Sequence, residues 1–310
     1  MNEMDLRALA RTNEDATARK IHAVKRGYWR DDFIGLLAGA CTDSIPIQNS
    51  PVMNRGFWLR VDLFSSAVRQ FIAQVGGSGV HQVVCLGAGY DTTFYRLNSE
   101  GVTTPHTVWV DVDLPDVIAV KEKVFSELSS QPIQGLLHRL SHDLRDAEGL
   151  FQKLQGILCR DTPTLFLCEC VLVYLDPWDS DAIIAAAVKS FPKVAFLTYD
   201  AVQGNDAFGS RMVESLRSRG CTLRGIDKYN TAESYAERFL RLGYTFSRAL
   251  DMASYATRTW RLRPEALQHV KALERLDEIE EWDIIHKHYS VAFGTTWGPD
   301  AFSWLHGVIQ

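Results

Sequence analysis

Apolar positions follow two different spacings that alternate along the middle of the chain. Short apolar runs predict seven strands, near 83–86, 107–110, 136–140, 164–168, 194–198, 244–250 and 288–297. Apolar residues at helical spacing predict helices after Pro115, with Leu128 on the apolar face, and over 180–190, 206–219 and 231–242. Strands alternating with helices predict a doubly wound α/β fold, with a mostly parallel seven-stranded sheet covered on both faces.

The two ends of the chain predict mainly helices. Residues 1–13 predict a loose tail, and helical spacing over 15–40, interrupted at Gly27, predicts two helices of an N-terminal extension. The next segments are predicted to be a loop over 49–54, which contains Pro51, and a helix over 57–75. Towards the C-terminus, one amphipathic helix is expected over 264–287, with an apolar stripe of Leu267, Val270, Leu273, Leu276 and Ile279.

Composition and charge exclude some classes of protein. Hydrophobic residues make up 46% of the 310 residues and charged residues 23%, as in soluble globular proteins. The net charge of -5 gives no support to nucleic-acid binding, which usually requires a basic surface. The six cysteines show no CxxC spacing, and the N-terminus lacks the apolar stretch of a signal peptide. We therefore expect a reduced, cytoplasmic protein that does not bind nucleic acid, membrane or metal.

A glycine turn follows the first predicted strand. Gly87-Ala88-Gly89 allows a ligand to approach the backbone closely at the carboxyl end of the strand. A dinucleotide-binding turn would carry a third glycine where this chain has Thr92, and Asp91 would repel a pyrophosphate. S-adenosylmethionine is positively charged and has no phosphate, so the turn favours this methyl donor over a nicotinamide cofactor. A tight turn without a ligand is the structural alternative.

Carboxylates follow the next strands in order. Asp113 ends the second strand, where a ribose-binding acid belongs, and Asp111 lies on the same side of the strand. Asp143 follows the third strand and is either an adenine-binding acid or the N-cap of a helix. Glu169 ends the fourth strand within an apolar run, where a carboxylate is costly unless it is paired. It therefore either faces the ligand cleft or forms an ion pair with a basic residue.

Taken together in chain order, these motifs resemble the leucine carboxyl methyltransferase family. The similar segments are Asn13-Glu14-Asp15-Ala16, Gly27-Tyr28-Trp29, Asn54-Arg55-Gly56, 86–93, 143–146 and 169–174, within a match from about 13 to 297. The family methylates the C-terminal leucine of protein phosphatase 2A catalytic subunits. The resemblance implies the fold of the S-adenosylmethionine-dependent methyltransferases. It also implies a single domain over 1–310, with a helical lid (1–60), a cofactor-binding core (61–200) and substrate-side elements (201–310).

The resemblance also implies a role for each candidate residue. Lys20 and Arg60 would bind the carboxylate of the cofactor, and Arg60 also that of the target. The cofactor's other contacts would be Gly87, Ala88 and Gly89 at its methionine part, Asp113 at the ribose, Asp143 and Leu144 at the adenine, and Glu169 at the amino group. Tyr174 would line the place where the target meets the methyl donor.

The implied reaction needs no general base, because a target carboxylate is ionised at neutral pH. This agrees with the lack of a nucleophile–histidine pair by spacing, and the pattern His286-Lys287-His288 predicts no metal site. The expected partner is the phosphatase tail, and the protein is expected to be a monomer. One alternative is the related tRNA wybutosine-pathway carboxyl methyltransferase, which usually carries C-terminal repeats that this sequence does not show. Another is a non-catalytic module that binds phosphatase tails.

Overall fold

A computed structural model describes residues 3–40, 48–75, 77, 79–126 and 133–297 of the chain, with the side chains of 11–39 and of the later ranges. The strands are β1 (His81–Leu86), β2 (Thr107–Asp113), β3 (Leu136–Ser141), β4 (Thr164–Glu169), β5 (Val194–Ala201), β6 (Phe246–Asp251) and β7 (Tyr289–Thr295). The helices are α1 (Glu3–Lys25), α2 (Pro51–Val75), α3 (Thr93–Ser99), α4 (Pro115–Ser126), α5 (Ala147–Gln155), α6 (Pro177–Ser190), α7 (Ala207–Ser218), α8 (Ala232–Arg241), α9 (Met252–Leu262), α10 (Pro264–Leu273) and α11 (Ile279–Lys287). Short 3₁₀ turns occupy Ile34–Ala40 and Leu172–Tyr174.

The seven strands form one sheet in the order β3-β2-β1-β4-β5-β7-β6. Neighbouring strands from β1 to β5 are parallel, and β7 runs antiparallel to both β5 and β6. This confirms the predicted doubly wound, mostly parallel sheet with an N-terminal helical extension. The chain proceeds outward from β1 in one direction and from β4 in the other, so the crevice for a ligand lies between the carboxyl ends of these two strands.

Separate apolar cores cover the two faces of the sheet, as the long apolar runs of the central strands require. On one face, Phe71 of α2 belongs to a buried cluster with Trp109 and Phe293. On the other face, Phe166 and Phe196 stack with ring centroids 5.5 Å apart, within a second buried cluster. No helix within the described ranges is long and apolar enough to span a membrane.

The N-terminal extension differs from the prediction in three places. The predicted loose tail over 1–13 is wrong, because α1 begins at Glu3 and continues to Lys25. Gly27 does break the helix, with a φ of 87°, but the second predicted helix is only the 3₁₀ turn Ile34–Ala40. The predicted loop over 49–54 is correct only for residues 49 and 50, because α2 begins at Pro51. A proline suits the first position of a helix, where no backbone N–H is needed.

The predicted helix over 264–287 is two helices, because the chain is extended at Glu274. The carboxylate of Glu274 accepts hydrogen bonds from Tyr28 (2.9 Å) and Asn54 (2.7 Å), and its backbone carbonyl accepts one from Arg55 (2.6 Å). Gly56 allows α11 to pack closely on α2, since a Cβ atom there would lie 2.7 Å from Nε2 of His286. The Asn54-Arg55-Gly56 motif therefore attaches the C-terminal helices to α2.

Some predictions remain outside these observations. Leu128, predicted on the apolar face of the helix after Pro115, lies outside the described residues. The division into 1–60, 61–200 and 201–310 stays a prediction. The short helices α3 and α9 had no separate prediction.

Candidate functional site

A cavity of about 860 Å³ lies at the carboxyl ends of β1 and β4, where the sheet topology places the ligand crevice. Its volume is within the range of small-molecule sites. The wall is formed by residues 11–20 of α1, by α2, by the turn after β1, by the end of β4 and by part of the segment after β5. Of the predicted site residues, the lining includes Lys20, Arg60, Gly87, Ala88, Gly89, Glu169 and Tyr174. Asp113, Asp143 and Leu144 lie at neighbouring strand ends, outside this lining.

The glycine turn needs glycine for two physical reasons. Gly87 and Gly89 have φ values of 63° and 48°, which side chains rarely adopt. A Cβ atom on Gly87 would also lie 2.5 Å from Cγ2 of Val171, and one on Gly89 would lie 2.6 Å from Oδ1 of Asn13. The same Asn13 oxygen accepts a hydrogen bond from the amide of Tyr90 at 3.0 Å. Helix α1 therefore docks directly on the turn.

The two acids of β2 have different roles. Asp111 is buried and accepts hydrogen bonds from Nζ of Lys121 (2.7 Å) and Nε1 of Trp109 (2.9 Å), so its carboxylate is part of the core. Asp113 accepts one from the amide of Gly89 at 2.6 Å. Burial raises the pKa of Asp113, although hydrogen bonds from backbone amides oppose the shift. This contact ties the end of β2 to the glycine turn, and a role for Asp113 at a ribose stays a prediction.

Of the two interpretations of Asp143, the one that made it the N-cap of the following helix is wrong. The N-cap of α5 is Asp146, whose side chain accepts a hydrogen bond from the amide of Gly149 at 2.9 Å. Asp143 forms an ion pair with Arg145, with a 3.0 Å hydrogen bond from Nε, and this lowers the pKa of the Asp143 carboxyl. The segment after β3 lies beside Asp113, because the amide of His142 donates to the Asp113 carbonyl at 2.9 Å. The proposed contact of Asp143 and Leu144 with an adenine stays a prediction.

Glu169 forms the charged centre of the cavity wall. Its Oε1 atom accepts hydrogen bonds from Nζ of Lys20 at 2.9 Å and from Nε of Arg60 at 2.5 Å. Burial alone would raise the pKa of Glu169, but the two cations lower it to about 2. The Nζ atom of Lys20 also lies 3.8 Å from the carboxylate of Asp91. The structure thus brings Lys20, Arg60 and Glu169 together from three distant parts of the chain, beside the glycine turn.

Two aromatic residues of the site were missed by the sequence reasoning. The Cζ atom of Arg60 lies 4.8 Å from the ring centroid of Tyr199, and Tyr199 stacks on Tyr289 with an interplanar angle of 6°. The apolar runs around both tyrosines predicted only strands. Phe57 also lines the cavity, with its ring centroid 5.8 Å from Cζ of Arg60.

Tyr174 lies on the same wall, in the 3₁₀ turn that follows β4. Burial raises its pKa well above the ordinary range, so the phenol stays protonated at neutral pH. The chain bends just before this turn at Cys170, whose φ of 59° is rare for a residue other than glycine. Its amide donates a hydrogen bond to the carbonyl of Tyr199 at 2.6 Å. This backbone bend directs the chain from the end of β4 into the turn that carries Tyr174.

The charged groups match the ends of a free amino acid. Lys20 and Arg60 can bind a carboxylate, while Glu169 and Asp91 can bind an ammonium group. S-adenosylmethionine carries both groups together with an adenosine, and the acids after β2 and β3 stand at the adjoining strand ends. The residues present therefore fit this methyl donor, in agreement with the sequence prediction.

Two solved structures resemble the fold. A candidate methyltransferase from Thermobifida fusca YX has a TM-score of 0.54 at 18% identity, covering 84% of this chain and 86% of that chain. A DUF574 family protein from Streptomyces avermitilis has a TM-score of 0.56 at 13% identity, covering 80% of this chain and 86% of that chain. At these identities the similarities show the fold alone.

Sequence comparison gives the family. The chain is 32% identical to a leucine carboxyl methyltransferase 1 homolog of Arabidopsis thaliana, over 92% of this chain and 88% of that protein. It is 31% identical to leucine carboxyl methyltransferase 1 of Caenorhabditis elegans, over 92% and 90%. It is also 30% identical to the human tRNA wybutosine-synthesizing protein 4, over 92% of this chain and 43% of that protein. The family model described as leucine carboxyl methyltransferase matches residues 8–188, and the chain belongs to the leucine carboxyl methyltransferase family.

Proposed function

We propose that this methyltransferase uses S-adenosylmethionine to esterify the C-terminal leucine carboxylate of the protein phosphatase 2A catalytic subunit. The observation that carries the proposal is the partly buried group of Glu169, Lys20 and Arg60 in the wall of the cavity. Two cations meet one carboxylate oxygen there, which suits a site that receives the carboxylates of a donor and an acceptor. The family relatives named leucine carboxyl methyltransferase 1 support the same acceptor group.

The residues of the cavity would act by binding and orientation. Bound S-adenosylmethionine supplies a methyl group activated by a sulfonium. Lys20 and Glu169 would hold the amino-acid end of the donor, and the glycine turn would allow its close approach. Arg60 would hold the acceptor carboxylate in line with that methyl group. Orientation of this kind accounts for roughly 7–11 kcal/mol of a reaction barrier.

No residue of the cavity has to remove a proton from the acceptor. A C-terminal carboxyl group has a pKa of about 3.5 and is already a nucleophile at neutral pH. Tyr174, which stays a neutral phenol, can donate a hydrogen bond to it but cannot serve as a base. The cavity would thus exclude water and direct one carboxylate oxygen towards the methyl group.

The test is transfer of labelled methyl from S-adenosylmethionine to the phosphatase catalytic subunit. We expect label on the intact subunit, released by mild alkali as a methyl ester should be, and no label on a subunit that lacks its last leucine. Equal labelling of both forms would contradict the proposed acceptor.

Two further arms separate the alternatives. One uses transfer RNA from cells that cannot complete wybutosine synthesis. This RNA would accept label only if the chain acts like the relatives named tRNA wybutosine-synthesizing protein 4. Calorimetry with S-adenosylmethionine alone addresses the non-catalytic alternative. A chain that binds the phosphatase tail but does not bind the methyl donor would be a tail-binding module.

A further inference from the structure

We propose that Tyr199, supported by Tyr289, is a positioning residue that holds the guanidinium of Arg60 ready to bind a carboxylate. The inference rests on the proposed function, because it concerns the same cation. It adds Tyr199, which is not part of the cavity lining, to the residues that shape the site.

The strand register places the ring of Tyr199 beside the carboxylate of Glu169. Glu169 of β4 pairs with Tyr199 of β5 in the parallel ladder, so both side chains leave the sheet on the same face. On the next strand, Val291 pairs with Tyr199, and Tyr289 lies two residues away on the same face. Arg60, carried by α2, contacts Glu169 through its Nε atom and has its Cζ atom over the ring of Tyr199.

These contacts restrict the guanidinium in two different ways. The hydrogen bond to Glu169 fixes one edge, but the group could still rotate about that bond. The ring of Tyr199, with its centroid 4.8 Å from Cζ, makes a cation–π contact with the guanidinium, and this second contact opposes that rotation. Tyr289, with its ring centroid 5.2 Å from that of Tyr199, stacks on this ring and restricts its movement.

This arrangement leaves part of Arg60 available. Glu169 engages Nε, and the two terminal amino groups of Arg60 have no hydrogen bond to another residue among those the structure describes. Arg60 lines the cavity, and its side chain retains 15% of its exposure. A planar group with two free donors and a fixed orientation is suited to a bidentate carboxylate. Preorganisation of this kind lowers the cost of ordering the side chain when the ligand binds.

The proposal can be tested with substitutions that separate the ring from its hydroxyl group. Tyr199→Leu removes the ring and keeps an apolar side chain, while Tyr199→Phe keeps the ring. Tyr244→Leu is the matched control, because Tyr244 is a buried tyrosine in the other core, where it packs on Phe239. Tyr289→Leu keeps the ring of Tyr199 and removes only the tyrosine ring that stacks on it.

The first readout does not depend on activity. Hydrogen exchange at Nε–H of Arg60 is followed by NMR in arginine-labelled protein, with the signal assigned by its loss in Arg60→Lys. Tyr199→Leu should accelerate this exchange on the order of 10-fold, as expected for loss of a buried cation–π contact, while Tyr199→Phe and Tyr244→Leu should leave it unchanged. An exchange rate in Tyr199→Leu within about 2-fold of the wild type overturns the proposal.

The second readout identifies which carboxylate Arg60 receives. We expect Tyr199→Leu to raise the Kd of S-adenosylmethionine, or the KM of a leucine-terminated acceptor peptide, by about 10-fold, with a smaller change in kcat. A rise in Kd assigns Arg60 to the donor, and a rise in KM assigns it to the acceptor. If the wild type itself binds no donor and transfers no methyl group, the proposed function fails and the exchange measurement still decides the role of Tyr199.

The exchange test can still be carried out if Tyr199→Leu does not fold. If Tyr199→Leu is unfolded by circular dichroism, Tyr289→Leu replaces it, because Tyr289 is only partly buried. The expected change in Arg60 exchange is then about 3-fold, in the same direction. Unchanged exchange in folded Tyr289→Leu overturns the proposal in that case.

Discussion

Two clusters in this protein place a carboxylate among basic side chains, and they differ in how completely the carboxylate is bonded. In the cavity, Lys20 and Arg60 both meet the same oxygen of Glu169. On the other side of the sheet, Asp181 of α6 uses both oxygens. They accept hydrogen bonds or ion pairs from Tyr229, Arg238, Arg241 and Lys228, at 2.6 to 3.3 Å.

The difference distinguishes a structural cluster from a binding site. Arg238 is buried, donates to Ser180 at 2.6 Å, and has its Cζ atom 3.9 Å from the ring centroid of Tyr229. Its donors are thus used within the protein, and the cluster joins α6, α8 and the loop between α7 and α8. Around Glu169, the terminal donors of Arg60 instead remain beside an open cavity. Incomplete bonding beside a cavity, rather than charge alone, indicates where a ligand carboxylate would bind.

The largest effect should come from breaking the structural cluster. Asp181→Ala leaves buried Arg238 without its counter-charge, and removal of one partner of a buried ion pair costs about 3–5 kcal/mol. We expect the free energy of unfolding, measured by urea denaturation, to fall by that amount, with the KM for both substrates unchanged in the folded fraction. Asp227→Ala, at an exposed position of the same loop, is the control and should have little effect. A raised KM in Asp181→Ala would show that the two clusters are not independent.

The next effect should come from the cavity, in activity rather than stability. Arg60→Ala removes a charged donor to the bound carboxylate, so kcat/KM should fall by about 100-fold, or about 2.7 kcal/mol. Glu169 keeps Lys20 as a partner in this variant, so the free energy of unfolding should change much less than in Asp181→Ala. Arg69→Ala on the same helix, at a partly exposed position, is the control. Full activity of Arg60→Ala at low substrate concentration would remove Arg60 from the site.

The sequence indicated the cluster around Glu169 but not the cluster around Asp181. Glu169 stands out because a carboxylate within an apolar run requires a partner. Its partners lie 149 and 109 residues away, and only the family resemblance indicated them. Asp181 gave no such signal, since it lies in an ordinary amphipathic helix. Tyr199 was missed because its role depends on contacts between distant segments. Strand register places it beside Glu169, and the packing of α2 brings Arg60 against its ring.

The fold was predicted well where local pattern and tertiary contacts agree. All seven strands were found, because buried parallel strands are continuous apolar runs. The single helix over 264–287 was wrong although its apolar stripe is regular. Hydrogen bonds to Glu274 from residues about 220 to 250 positions earlier in the chain hold that residue in an extended conformation. Such distant partners leave no mark on local periodicity, whereas the Ser50-Pro51 start of α2 was a local signal that went unused.

A further carboxylate lies next to Tyr199 in the chain and tests the comparison through the pH dependence of stability. Asp200 is fully buried at the end of β5, and its Oδ1 atom accepts a hydrogen bond from the amide of Val173 at 3.2 Å. The nearby charge of Arg238 does not offset its burial, which raises the pKa of Asp200 from 3.8 to about 7. The pKa of Glu169 is lowered instead, because two cations contact it directly.

This raised pKa predicts how stability depends on pH. Between about pH 4 and pH 7, the folded state keeps a proton on Asp200 that the unfolded state has lost. The contribution is therefore complete below about pH 4 and is lost as the pH rises through about 7, with a slope of at most about 1.4 kcal/mol per pH unit. Asp200→Asn keeps an acceptor for Val173 and should remove this slope from urea unfolding measured across the window. Asp227→Asn is the exposed control, and an unchanged slope in Asp200→Asn would mean that Asp200 is already ionised in the folded protein, like Glu169.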